Sequence, residues 1–322
     1  MVDVGDFSDQ GGCLQREWEA GQRSAGIRRD YRAEDVIRLR GPVAADHALA
    51  RCGARRLWEL LGREDAVRAL GAITGHHAVQ MVQAGPQAVH LSGGPVSGDS
   101  ELDPFELTMT MIEAGAAGVL FGDRLPSPRG DGHLGARVLV PTGEHIRTLN
   151  SARLAADVAS VPCLVIARTH AHETSLLTSD ADERDHEFLT GERTAAGLHL
   201  VRPSMYARVT RALAYAPYAD LLWLETSTPN LAEARAFADI IYSQYPGKLL
   251  AYSCSPAFDW THLDVASIAE FQEALAAMGY RFQFIAPAGS HGPDGSIPGS
   301  VRDARPPSTR RPARAQFAVS AG

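Results

Sequence analysis

Two imidazoles and a carboxylate stand within four residues at His170, His172 and Glu173. On an extended chain, residues i and i+2 face the same way, so both histidines could reach one transition-metal ion. A third ligand, Glu225 or His133, would then have to arrive from elsewhere in the chain; the competing reading is two solvent-facing histidines. The His76–His77 pair has no partner at ligand spacing and reads as a loop or helix cap. Cys13, Cys52, Cys163 and Cys254 lie far apart with no CxxC pair. Two of them fall in apolar runs, so the sequence suggests reduced core thiols in a cytosolic protein.

Positioning these groups falls to a βα alternation. Short apolar runs recur at ALGAIT (69–74), AVHLSG (88–93), GVLFGD (118–123), CLVIART (163–169), LLWLET (221–226), LLAYSC (249–254) and FQFIAPAG (282–289). Amphipathic stretches such as GEHIRTLNSARLAADVAS and NLAEARAFADIIYSQYP separate them. Continuous apolar strands between such helices predict an α/β fold, a parallel sheet covered by helices, here a TIM-type (β/α) barrel. Each run ends in a polar or glycine-bearing tip, and in such barrels the strand C-termini build the site. The expected organisation is an N-terminal arm and helices over 1–68, with one short helix near Trp18 in the arm. A barrel-like domain follows over 69–289. The tail, 290–322, is rich in Pro, Gly and Arg and is expected to be disordered.

The net charge of −7 makes nucleic acid a poor default partner. A hydrophobic content of 45% argues against disorder throughout. No run approaches a membrane span, and the start lacks the marks of a signal peptide, so a cytoplasmic location with no membrane partner is expected.

KLLAYSCSPAFDW (248–260), HLGARVLVPTGEHIRTLNSARLAADVA (133–158), VIARTHA (165–171), SDADERDHEFLTGERT (179–194) and YAPYADLLWLETSTP (215–229) closely resemble isocitrate lyase. The resemblance covers residues 15–289. It implies a barrel that splits isocitrate into succinate and glyoxylate by a Mg²⁺-assisted retro-aldol reaction. Ser92 and Gly93 match a strand-end pair that helps hold glyoxylate. Gly132 and His133 match the second half of the catalytic-loop signature Lys-Lys-Cys-Gly-His. Arg168 matches an arginine that contacts both products, a role suited to a guanidinium fork. Glu225 and Ser255 match residues of the substrate site.

The departures fall on the same roles. Asp131 stands where the resemblance places the catalytic cysteine, and an ordinary aspartate is ionised at neutral pH and a poor acid for a carbanion. Phe121-Gly122-Asp123 replaces Trp-Glu-Asp, removing a carboxylate of the metal shell, and His170 replaces an aspartate. Ser253 replaces an asparagine and Ala257 a serine. Between Asp99 and Phe105 the resemblance calls for a long segment with one barrel strand and the principal magnesium carboxylates; here GDSELDPFEL runs straight on. Asp99, Asp123 and Glu225 are the nearby oxygen donors left for Mg²⁺. The barrel is therefore expected to be one strand unit short with an unpaired edge, and the tetramer of the family is in doubt because its C-terminal helices are replaced. The leading reading is a family member with impaired cleavage of isocitrate. The alternative is a catalytically dead paralogue that binds dicarboxylates or partners an intact lyase. A metal-dependent enzyme using His170 and His172 is a third.

Overall fold

Apolar side chains on both faces of a strand require cover on both faces, and the chain supplies it by following most strands with a helix. The computed structural model describes residues 4–41, 45–63, 66–72, 78–79, 86–91, 103–125, 138–254, 264–284 and 316–321. The barrel strands are β1 (Val67–Ala72), β2 (Ala88–Leu91), β3 (Gly118–Gly122), β5 (Leu164–Arg168), β9 (Leu221–Thr226), β10 (Leu249–Cys254), β11 (Tyr280–Phe284) and β12 (Gln316–Ala321). They form a closed barrel in the order β1-β11-β10-β9-β5-β3-β12-β2, with every neighbouring pair parallel.

The closure corrects one expectation. No strand lies between β2 and β3 in the sequence among the described residues, as the short GDSELDPFEL connection requires. The gap is nevertheless filled, because β12, from the tail expected to be disordered, pairs with β2 (Phe317 opposite Val89) and with β3 (Val319 opposite Val119). An open barrel would leave the backbone groups of β2 and β3 unpaired, and this is what β12 satisfies. The remainder of the tail lies outside the described residues.

Helices α1 (Val4–Ala20), α2 (Ala33–Leu39) and α3 (Ala48–Leu61) precede the barrel. The helix near Trp18 is therefore 17 residues long rather than short. Helices α4 (Pro104–Glu113), α5 (Thr142–Val158), α6 (Met205–Tyr215), α7 (Leu231–Gln244) and α8 (Val265–Ala277) pack outside the strands. Their starts are written in the sequence: Asp103, Ser204, Asn230 and Asp264 each accept a backbone N–H of the first turn. The α5 start is capped from afar, with Thr142 N donating to Asp185 Oδ2 at 2.8 Å and Gly143 N to Asp182 Oδ2 at 2.6 Å. Two carboxylates at a helix N-terminus also complement its dipole. They belong to the SDADERDHEF stretch, which thus ties a loop beyond β5 to the helix before it.

That loop region carries a small second sheet, β4 (Val138–Leu139), β6 (Leu176–Leu177), β8 (His199–Val201) and β7 (Leu189–Arg193), with its own core of Leu139, Ala171, Leu177, Phe188, Val201 and Ala207. The main core lies within the barrel and between its strands and helices, and includes Leu57, Leu61, Leu222, Leu224, Phe237 and Phe282. Cys163 and Cys254 are buried there, neither of them in a disulfide, and burial pushes the Cys163 thiol up to about 12.

Candidate active site

Strand register brings the retained polar residues together. Arg168 closes β5 and lies opposite Trp223 on β9; two residues on, Glu225 lies opposite Ser253 on β10. Because side chains alternate along a strand, Trp223 and Glu225 project to one face. Arg168 Nη2 pairs with Glu225 Oε1 at 2.8 Å. Ser253 Oγ donates to Glu225 Oε2 at 2.9 Å and accepts Trp223 Nε1–H at 2.8 Å. A hydroxyl can accept and donate at once, so Ser253 links the indole to the carboxylate. From behind, Arg208 Nη2 donates to the Glu225 carbonyl at 3.1 Å while its Nη1 pairs with Glu233. Arg168 and Glu225 keep just under a fifth of their side-chain surface open. Arg168 Nε is buried without an acceptor among the described residues.

His90 on β2 sits beside this group, packed on Trp223 and Phe284 with ring centroids 5.5 and 4.9 Å away. Burial, with the charge of Arg168 adding to it, lowers its imidazole to about 4, so it is neutral at neutral pH.

Asp123, one residue beyond β3, is wholly buried and its carboxylate is fully engaged. Oδ1 accepts the His170 backbone N–H at 2.9 Å and lies 3.4 Å from His170 Nδ1. Oδ2 accepts from Thr169 Oγ1 at 2.6 Å, Arg211 Nη1 at 3.0 Å and the Tyr215 hydroxyl at 3.1 Å. Burial alone would raise this carboxyl. The His170 hydrogen bond and the Arg211 charge outweigh it and hold the group below the ordinary carboxylate range. Arg211 also reaches Asp185 at 2.9 Å, so the network runs from two strand ends into α6 and the cap of α5.

His170 is not solvent-facing, as one reading of the sequence had it: it is 3% exposed. Its ring lies over Gly122, where a Cβ would come within 2.8 Å of Cε1 and 3.4 Å of Nδ1. Burial, aided by Arg168, keeps this imidazole neutral against the pull of Asp123, and its Nε2 has no partner among the described residues. His172 is lowered to about 3, first by burial and then by Arg208 and Arg168.

This half of the site does not fit Mg²⁺. A hard cation needs open oxygen ligands, yet both Asp123 oxygens are committed to protein donors, and the place of a side chain at Gly122 is filled by an imidazole. Among the described residues no group of three His, Cys, Asp or Glu could hold a metal ion, the His170–His172 pair included.

Of the residues expected at the site, the structure brings Arg168 and Glu225 into contact and sets Asp123 in the adjoining buried network. Ser92, Gly93, Asp99, Asp131, Gly132, His133 and Ser255 lie outside the described residues. Sequence reasoning missed His90, Arg208, Arg211 and Tyr215. A signal was present: His90 is the one polar residue of the AVHL strand, and Arg208 and Arg211 sit at i and i+3 on the face of α6 that also buries Val209 and Ala212.

The Isocitrate lyase family model matches residues 102–196 and 191–295. Isocitrate lyase of Corynebacterium efficiens is 43% identical over 342 aligned positions, covering 86% of this chain and 79% of that protein. The alignment is longer than the chain, so that relative carries residues this one lacks. Isocitrate lyase of Escherichia coli is likewise 43% identical, over 86% of this chain and 80% of its own length. Isocitrate lyase of Mycobacterium tuberculosis is 43% identical over 340 positions, with 86% and 79% covered. A crystal structure of 2,3-dimethylmalate lyase superposes with a TM-score of 0.49 at 16% identity, over 78% of this chain and 85% of that one. With the family match spanning more than half its length, this chain belongs to the isocitrate lyase family.

Proposed function

We propose that this chain is a carboxylate-binding member of the family in which the inherited cleavage of isocitrate to succinate and glyoxylate, the chemistry of the glyoxylate cycle, is strongly impaired. The observation that carries the reading is the contrast between the two halves of the mouth. The Arg168–Glu225–Ser253 group is assembled and partly open. The Asp123–His170–Gly122 group is closed on itself.

A retro-aldol cleavage removes the proton of the 2-hydroxyl, breaks the C–C bond and protonates the carbanion left on the succinate fragment. A metal ion would polarise the hydroxyl oxygen as it becomes the aldehyde; the described residues offer nothing to hold one there. What the chain supplies is carboxylate recognition. Arg168 is fixed by Glu225, and among the described residues only its Nη2 is engaged, which leaves the rest of the fork for a di- or tricarboxylate. Neutral His90 beside it adds a polar contact without charge.

The test is glyoxylate release from isocitrate with and without Mg²⁺, against Arg168→Ala as the control for host enzyme. The reading expects wild type and variant to be indistinguishable. Mg²⁺-dependent release that Arg168→Ala abolishes contradicts it.

A further inference from the structure

A second cavity lies away from the strand C-termini. It has a volume of about 750 Å³, within the range of small-molecule sites. It is framed by α1, α2, α3, the second half of α5 and the turn Ser160–Pro162 that leads into β5. Arg23, Arg29, Arg40, Arg55 and Arg153 line it, against Glu17, Glu59 and Asp157.

The acids do not use up the cations. Asp157 is taken by Arg29 at 2.7 Å and by the Tyr31 hydroxyl at 2.6 Å. Glu59 is paired with Arg56 at 3.2 Å, and Arg56 does not line the cavity. Arg153 is 5% exposed and spent within the protein, its Nη2 on Asp220 at 2.5 Å and its Nη1 on the Cys163 carbonyl at 3.3 Å. Arg40 Nη2 donates to the Asp157 carbonyl at 2.7 Å, and among the described residues its guanidinium meets no side-chain carboxylate. Arg23 has no carboxylate partner among the described residues; its guanidinium lies over Trp58, 5.1 Å from the ring centroid, with Nη2 buried and unpaired. Three of the guanidinium groups that line the cavity, Arg23, Arg40 and Arg55, thus meet no side-chain carboxylate among the described residues, and a cation shielded from water without a counter-charge is costly. Burial first, and then Arg153, push Arg23 below its ordinary value against the pull of Asp220, as expected of a cation short of an anion.

We propose that this cavity binds a small organic polyanion, its carboxylate or phosphate oxygens taken by Arg23, Arg40 and Arg55. The chain's own tail is the wrong occupant by charge, since residues 285–315 contain five arginines, Arg302, Arg305, Arg310, Arg311 and Arg314, against Asp294 and Asp303. The site is independent of the barrel mouth, and the two can be told apart by mutation.

The experiment titrates the full-length protein with pyrophosphate and, separately, with citrate, reading heat and tryptophan fluorescence. It compares wild type, Arg23→Gln, Arg55→Gln and Arg168→Ala. At least one anion is expected to bind wild type and Arg168→Ala alike, and to bind Arg23→Gln at least tenfold more weakly. Whichever anion binds says whether phosphate or carboxylate is preferred. Arg23→Gln should also melt no lower than wild type without ligand, because it removes an unpaired cation, while losing the ligand-induced rise in melting temperature. Arg55→Gln, an exposed position, gives a second, milder loss in a chain whose folding is not at issue. Binding of neither anion, affinity unchanged by Arg23→Gln, or binding abolished by Arg168→Ala overturns the proposal.

Discussion

Asp123 occupies a position that the family resemblance gives to the metal shell, and five protein donors surround it instead. Its work here is to neutralise Arg211 and to fix Thr169 and the start of the loop beyond β5. Asp123→Asn would leave the Arg211 charge buried with Asp185 as its one carboxylate partner among the described residues. Breaking a buried pair in this way costs about 3–5 kcal/mol, and we expect urea unfolding to show a loss of that order with no metal or ligand present. A carboxylate kept only for a cation would give no loss, or a gain, on the same substitution. The two replacements beside it, Gly122 for a glutamate and His170 for an aspartate, are each legible in the sequence once the resemblance is seen. Their contact is not: it depends on the pairing of Gly122 with Arg168 across β3 and β5, which turns His170 back over the glycine. Ser253 was similarly visible as a departure, whereas its place between Trp223 and Glu225 needed the β9–β10 register.

At the scale of elements, seven barrel strands follow from apolar runs whose residues alternate with capped helices, and their limits shift by only a few positions between sequence and structure. The eighth was hidden for a physical reason. QFAVSA is short and sits at the end of a stretch of Pro, Gly and Arg, so its local pattern is weak. It becomes a strand because two others, β2 and β3, each lack a neighbour, and that demand arises some two hundred residues earlier in the chain. Hydrogen exchange gives a direct check. The amides of residues 316–321 are expected to exchange orders of magnitude more slowly than a free peptide, and ending the chain at residue 315 should lower the melting temperature and promote association through the exposed edges. Free-peptide exchange rates at 316–321 in the intact protein would contradict the assignment.

The whole molecule buries several imidazoles that must stay neutral. His90 and His145 are each lowered to about 4 by burial, His172 to about 3, and His170 also lies well below its ordinary value. In the unfolded chain these groups take up protons near pH 6.5. Between that pH and about 4 the unfolded state binds more protons than the native one, so stability falls as pH falls, by about 1.4 kcal/mol per pH unit for each such histidine. Carboxylates held below their usual range, Asp123 and Asp220, extend the loss to lower pH. The urea midpoint is expected to drop steeply from pH 7 to pH 5, and replacing His145 with Asn should flatten that slope. A midpoint that stays level over this interval would show that these side chains are not buried as described.

The central claim is that the barrel mouth recognises carboxylates through Arg168 without help from a metal ion. Calorimetric titration of succinate into the purified protein, once in EDTA and once in excess Mg²⁺, tests it most directly. We expect the same affinity in both buffers, and at least a tenfold loss with Arg168→Ala. Binding that appears only with Mg²⁺, or that survives Arg168→Ala unchanged, would contradict the account.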